Sequence, residues 1–347
     1  MMLNSDKKMI DAYYHPTTVV FLDDHQAFLN SIPLALEANV AYKPFIDPKA
    51  AINYINGRTQ YQPLVEKDDS WADNHVSYHY KLNVESILNK THDGKRFSEP
   101  SILVTDYAMP SHDYNGLDVC KAIDNPYVKK ILLTGVADEQ IAIEALNNKV
   151  IDYYLKKSTQ NVFTQVNQLI HRYQQEYFHD MTRVIRESLK VSCPLIDDPE
   201  IVAYFFAIIE QENIVEYHLN IESKAASLDF LMVDEQGKSH RLLILNQDDL
   251  RAHRDVATDV NAPEALLDAL QNQTKVPLFS SADGFYHPDM QTNWEKYLHS
   301  SIRIDGRESY IASFISEVDI NPTLTNTTRI FSFLQYLQND TSAGSLT

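Results

Sequence analysis

The stretch Ser101-Ile102-Leu103-Val104-Thr105-Asp106-Tyr107-Ala108-Met109-Pro110 decides the fold class. An apolar run of this length, without polar alternation, is the pattern of a strand covered on both faces, as in a parallel sheet. It stops at Asp106, and open α/β sheets carry their chemistry at the carboxyl ends of their strands. An Asp after a strand is also ordinary turn chemistry. The meaning of Asp106 therefore depends on whether other strands end in reactive groups.

They do. Residues 17–22 (Thr-Thr-Val-Val-Phe-Leu) form a β-rich run that ends at Asp23 and Asp24. A helical pattern follows over 25–37, then a strand over 40–46. Asp47-Pro48 starts a helix with Pro at its first position, and Asn56-Gly57 closes it. After the strand at Asp106 come a helix over 115–124, a buried strand over 130–134 ending at Thr134, a helix over 138–148 and a strand over 150–155. Lys156 and Lys157 follow directly. Five strands alternating with helices predict an α/β domain with a doubly wound, five-stranded parallel sheet. Only 57–100 breaks the rhythm. It is polar, with one candidate helix over 80–89, and is expected to be an insertion, since loops of this length are uncommon inside compact domains.

Such a fold gathers its strand ends on one edge, which brings together Asp23, Asp24, Asp106, Thr134 and Lys157. Three carboxylates crowded without partners would repel one another. A hard divalent cation such as Mg²⁺, which takes oxygen ligands, resolves the conflict. An Asp carboxylate beside Mg²⁺, with an ammonium and a hydroxyl to hold the transferring oxygens, meets the needs of phosphoryl transfer to Asp.

These residues resemble the flavodoxin-like receiver (CheY-like) domain of bacterial two-component response regulators. The motifs are Phe-Leu-Asp-Asp at 21–24, Asp-Tyr-Ala-Met-Pro at 106–110, Leu-Thr-Gly at 133–135 and Tyr-Tyr-Leu-Lys-Lys at 153–157. The resemblance implies that Asp106 is the phosphoacceptor and that a sensor histidine kinase is the phosphodonor. It implies Mg²⁺ held by Asp24, Asp106 and the backbone carbonyl of Ala108, with Asp23 acting mostly through water, and no other cofactor. Thr134 follows the phosphoryl group, Lys157 is the active-site lysine and Tyr154 is the switching aromatic. The chain departs from the pattern in the insertion, in a longer loop over 110–116, and in Ser158, where the family has Pro. A receiver that binds without being phosphorylated stays open as the alternative.

Beyond residue 158 an apolar stripe (Val162, Val166, Leu169, Tyr173, Tyr177, Met181, Val184, Leu189) predicts one long helix over 159–190. Such a stripe exceeds what one receiver covers. We therefore expect a homodimer on phosphorylation, through the 138–156 face and the 159–190 helix. Residues 191–338 predict an α+β output domain with an antiparallel sheet, including a hairpin at Asp234-Glu235-Gln236-Gly237. Residues 1–16 are read as an N-terminal segment and 339–347 as a disordered tail.

No catalytic motif marks the output domain. Glu264-Ala265-Leu266 spells the opening of a cyclic-di-GMP phosphodiesterase signature, and His179-Asp180, on the linker helix, the pair of a metal-dependent phosphohydrolase, each without its partners. Of the chain's net charge of −18, residues 191–347 carry −14, with 10 basic against 24 acidic residues. An acidic surface repels phosphate backbones, so the charge argues against nucleic acid as a partner. The expected function is a signalling switch, not an enzyme, acting through protein contacts. The alternative is an output that is enzymatic or binds a small ligand such as a nucleotide; a DNA-binding transcription factor comes last. The length, the insertion and the output together resemble regulators that serve quorum sensing. No apolar run reaches the ~18 residues of a membrane span, the N-terminus lacks a signal-peptide core, and two cysteines form no disulfide framework. The cytoplasm of a bacterium is the expected location.

Overall fold

The computed structural model describes residues 9–58, 65–67, 80–82, 94–135, 139–220, 223, 225–279, 283–318 and 331–342. They fall into two compact units. One lies within Met1–Tyr14, Leu64–His92 and Val184–Phe333; the other lies within His15–Pro63, Asp93–Arg183 and Leu334–Thr347. In chain order, β1 (Tyr13–Tyr14) belongs to the first. The second begins with β2 (Thr18–Leu22), α1 (Gln26–Ala35), β3 (Ala41–Phe45) and α2 (Pro48–Arg58). The short strands β4 (Val65–Lys67) and β5 (Tyr80–Leu82) pair antiparallel with each other, Val65 opposite Leu82. The parallel-sheet unit resumes with β6 (Pro100–Asp106), α3 (Gly116–Lys121), β7 (Lys129–Thr134), α4 (Glu139–Asn147), β8 (Tyr153–Lys156) and α5 (Val162–Met181).

The sheet order is β3-β2-β6-β7-β8, parallel throughout. This is the expected doubly wound sheet, and its order reverses between β2 and β6, where such folds place their sites. Alternate residues of the central strands (Val19, Phe21, Ile102, Val104, Ile131, Leu133) pack with Leu29 and Ile32 of α1 and Val166, Leu169 and Ile170 of α5. The intervening Val20, Leu22, Leu103 and Leu132 are buried as well. Coverage on both faces is why these strands show no polar alternation. Pro44 sits in β3, an edge strand, where its missing N–H costs no ladder bond.

Several expectations are corrected. The candidate helix over 80–89 begins as β5, because 80–82 pairs with 65–67; residues 83–89 lie outside the described residues. The last receiver strand starts at Tyr153, not at residue 150. Lys149 takes a left-handed conformation and Val150 N–H caps α4 through the Ala145 carbonyl at 2.9 Å, so those residues end the helix. The single helix over 159–190 is two, α5 and α6 (Arg183–Ser192), broken at Thr182. The Thr182 hydroxyl donates to the Phe178 carbonyl at 2.8 Å, and its φ of −90° and ψ of 5° leave the helical range. The apolar stripe does not face water either: Val166, Leu169, Tyr173 and Tyr177 are buried within the chain. The seam expected to carry a dimer through this helix is therefore not available. Val184, also of that stripe, has no described side chain.

The antiparallel unit continues with α7 (Pro199–Gln211), β9 (Ile214–Leu219), β10 (Leu228–Asp234), β11 (Ser239–Leu245), α8 (Gln247–Asp259), α9 (Glu264–Gln271), β12 (Lys275–Pro277), β13 (Leu298–Ser300), β14 (Ile302–Asp305) and β15 (Ser309–Ile315). Its sheet runs β1-β9-β10-β11-β15-β14, and β12 pairs with β13 alone. α7 starts at Asp198, whose carboxylate accepts Glu200 N–H at 3.0 Å, with Pro199 at the first helical position. Its Phe205 meets Tyr217 of β9 and Phe230 of β10 edge-on or tilted, at 5.0 and 4.8 Å. Leu250 of α8 packs on Leu243, Leu245, Ile311 and Ile315. The N-terminal segment is a working part of this unit: β1 extends the sheet, and Ile10 N–H bonds Ile196 O at 3.1 Å. The final helix, α10 (Phe333–Ser342), runs past residue 339, where a disordered tail was expected. Its Tyr336 anchors on the parallel-sheet unit, tilted against Phe97 at 5.6 Å and 3.3 Å from the Thr18 hydroxyl. Residues 343–347 lie outside the described residues. Among the described residues no helix is long and apolar enough to cross a membrane.

Candidate functional site

The carboxyl edge of the parallel sheet is where the strand ends converge. β2 delivers Asp23 and Asp24, β6 ends in Asp106, β7 ends in Thr134, and Lys157 follows β8. Asp23, Asp106 and Thr134 are buried. The Lys157 ammonium lies 2.7 Å from Asp23 Oδ2 and 2.7 Å from Asp106 Oδ2, joining residues 134 and 51 positions away. Lys156, its neighbour, pairs instead with Glu139 of α4 at 2.7 Å, as strand alternation requires.

The electrostatics are unbalanced. Burial raises the Asp106 carboxyl above the ordinary carboxylate range, and the hydrogen bond and charge of Lys157 only partly oppose it. Burial alone would pull the Lys157 ammonium down, but its bonds to Asp106 and Asp23 outweigh this and leave it raised. One ammonium thus bridges two of the three carboxylates, Asp23 and Asp106. The Asp24 side chain is 3% exposed. Its Oδ1 is buried and accepts no hydrogen bond. A buried carboxylate oxygen without a donor is costly unless a cation meets it. Three oxygen donors of this kind fit a hard divalent ion such as Mg²⁺. One ligand atom from each of Asp23, Asp24, His25 and Asp106 can be chosen so that all lie within 4.8 Å of one another.

The remaining expected residues are placed as follows. Thr134 adjoins Leu133, the residue paired with Asp106 across β6 and β7, and its hydroxyl is 3.5 Å from the Leu155 carbonyl. Tyr154 is half-buried on β8, opposite Leu132. Ala108 is exposed in the loop after Asp106, which Tyr107 N–H ties to Leu133 O and Gly116 N–H ties to Tyr107 O. The Lys157–Ser158 bond is trans, like every described peptide bond. Of the other candidate pair, Asp180 is bound by Lys129 at 2.6 Å.

Three residues of the site escape sequence reasoning. His25 follows the acidic pair and could have been noticed as a ligand type. Gly116 lies against the Asp106 backbone so closely that a Cβ there would be 2.1 Å from the Asp106 carbonyl oxygen. Phe28 of α1 places its ring 5.2 Å from the Lys157 ammonium and stacks on Phe163 at 5.7 Å. Neither of these last two carries a local signal.

The Legionella pneumophila response regulator LqsR has a solved structure similar to this one. It shares 30% sequence identity over 97% of this chain and 99% of that one, with a TM-score of 0.73. The chain belongs to the response regulators. This response regulator also has fainter likenesses. A receiver domain protein from Clostridium thermocellum is 17% identical over 46% of this chain and 94% of that one, TM-score 0.29. An adenylate cyclase from Rhodopirellula baltica is 18% identical over 50% and 98%, TM-score 0.33. No family model matches the sequence, and no curated protein does.

Proposed function

We propose that this response regulator is a phosphorylation-driven switch in which Asp106 accepts a phosphoryl group from a sensor histidine kinase. The observation that carries the reading is the Lys157 ammonium held 2.7 Å from both Asp23 and Asp106 at the sheet's carboxyl edge. Asp106 Oδ attacks phosphorus in line as the bond to the kinase's histidine nitrogen breaks, and the imidazole keeps the electron pair. Lys157, already beside the acceptor oxygen, neutralises charge on the transferring group. The Thr134 hydroxyl has only a long bond to Leu155 O to give up when it turns toward a phosphoryl oxygen. Tyr154 is the aromatic that follows Thr134. Asp23, Asp24, Asp106 and the Ala108 carbonyl would hold Mg²⁺, which when bound offsets the charge of the phosphoryl oxygens.

The signal leaves through protein contacts. Ile141, Ile143 and Leu146 of α4 and Tyr153 of β8 are large apolar side chains left exposed, and an exposed apolar patch is an interaction site by default. A phosphorylation-dependent homodimer through the 139–156 face is therefore part of the reading; Asp138 lies outside the described residues. The charge of the second half opposes nucleic acid as its target. A kinase-driven switch of this kind works in the cytoplasm, and the resemblance in length, insertion and output supports a quorum-sensing input.

Incubation with acetyl phosphate and Mg²⁺ should add one phosphoryl mass to the wild type and none to Asp106→Asn, because a neutral amide is not a nucleophile. Equal labelling of the two would place the acceptor elsewhere. Light scattering with and without a beryllofluoride mimic reads the dimer; a monomer in both states would remove dimerisation from the reading.

A further inference from the structure

The acidic edge contains one group for which phosphoryl transfer provides no role. His25 follows Asp24, and its backbone N–H donates to Asp23 Oδ1 at 2.9 Å. Its ring turns back over the carboxylates: Nδ1 lies 2.8 Å from Asp24 Oδ1 and 3.3 Å from Asp23 Oδ1. The side chain is 67% exposed, so packing does not dictate this pose. Yet the Asp24 oxygen it faces is buried and accepts no hydrogen bond. The ring nitrogen and the two carboxylate oxygens lie close enough to converge on a common point. Bonds of about 2.1 Å to an octahedral cation separate adjacent ligands by about 3.0 Å and opposite ones by about 4.2 Å. The spacings of His25 to Asp24 and to Asp23 are of the first size, and the four-residue set with Asp106 spans no more than 4.8 Å.

We propose that His25 Nδ1 is a direct ligand of the cation held at this edge, and that it shifts the preference of the site toward divalent transition ions, Mn²⁺ over Mg²⁺. The inference rests on the reading of this edge as a metal site. Magnesium keeps to oxygen and water, whereas imidazole is a donor suited to first-row transition metals. Three carboxylates alone would make an all-oxygen site. Adding a ring nitrogen makes the donor set mixed and changes which ion it holds best. The competing role for His25 is that of a protonated charge partner for Asp24, with no metal bond.

Pulsed electron paramagnetic resonance of the full chain loaded with Mn²⁺ alone separates these roles, because a directly bonded imidazole nitrogen leaves its hyperfine coupling on the Mn²⁺ signal. Wild type should show that coupling; His25→Ala and His25→Gln should both lose it. Mn²⁺ affinity should fall about tenfold in both variants, a typical cost of perturbing a metal's ligand shell, and Mg²⁺ affinity, read by competition, should fall less. Circular dichroism melts of the variants verify that they are folded. Mn²⁺ bound in wild type, released by Asp24→Asn, but without nitrogen coupling would overturn the role of His25 and leave the metal site standing. Failure of wild type to bind Mn²⁺ at all would overturn the metal site itself, and the inference with it.

Discussion

The two units bury carboxylates in opposite ways. At the parallel sheet's edge, Asp23 and Asp106 share one ammonium, and Asp24 Oδ1 has beside it only the exposed His25 ring. Among the described residues of the antiparallel unit, the buried carboxylates have partners within the unit. Arg241 reaches Asp229 through Nε at 2.7 Å and through a second guanidinium nitrogen, Arg186 holds Asp11 at 2.9 Å, and Asp198 takes N–H groups from Glu200 and Arg307. A fully matched buried charge leaves no affinity over for a ligand, although removing either partner is costly. An under-matched cluster of carboxylates keeps affinity for a cation. The same residue type is therefore structure in one unit and chemistry in the other.

The largest test of this contrast is Asp229→Ala. It leaves the mostly buried Arg241 guanidinium without its anion, and such a loss costs about 3–5 kcal/mol. Urea denaturation should show it, and acetyl phosphate labelling of Asp106 in protein that remains folded should be unchanged. A small loss would mean that the pair is replaceable and the contrast overstated.

Next is Gly116→Ala. Its methyl group would have to move the Asp106 backbone, since the available distance is 2.1 Å. Overpacking of this sort costs about 1–3 kcal/mol. Here the stability loss should be accompanied by slower labelling, which ties the loop to the acceptor. Labelling at the wild-type rate would show that the loop gives way without disturbing Asp106.

Asp106→Asn should shift stability the other way. A carboxyl whose pKa is raised by folding destabilises the native state at pH values above its ordinary range. At pH 7 without metal, the amide variant should melt at or above the wild-type temperature. A lower melting temperature would make the Lys157 pair a net stabiliser and bring the two units closer in kind.

The smallest effect is a pH dependence of the antiparallel unit. Burial lowers the His253 imidazole below its ordinary 6.5, against the hydrogen bond its ring donates to the Ala225 carbonyl; burial, then Lys275, lowers His299. Below pH 6.5 the unfolded chain binds protons that the folded one refuses, so stability should fall as pH drops through 6.5 toward 5. His253→Gln should flatten part of that slope. An unchanged slope would assign it to other groups.

What the sequence alone determined is what local pattern can carry. Apolar runs without alternation announce strands covered on both faces, and residues placed just after them, Asp23, Asp24, Asp106, Thr134 and Lys157, share an edge once the sheet is parallel. That inference needs only the period of a strand and the rule that parallel strands end together. The hairpin at Asp234–Gly237 is equally local, with Gly237 at the positive φ of 80° that its turn requires. Tertiary structure decided the rest. The stripe after residue 159 is periodic through Thr182, and nothing local says that the chain bends there or that Tyr177 is buried. Tyr13–Tyr14 is a strand only because β9, two hundred residues later, offers its edge. Tyr336 holds a helix where polar sequence suggested a loose tail, because Phe97 and Thr18 lie beneath it. Gly116 and Phe28 matter only through what faces them: a carbonyl at 2.1 Å and an ammonium at 5.2 Å. A strand's period is written in consecutive residues, whereas a close approach is set by chain segments that meet only after folding.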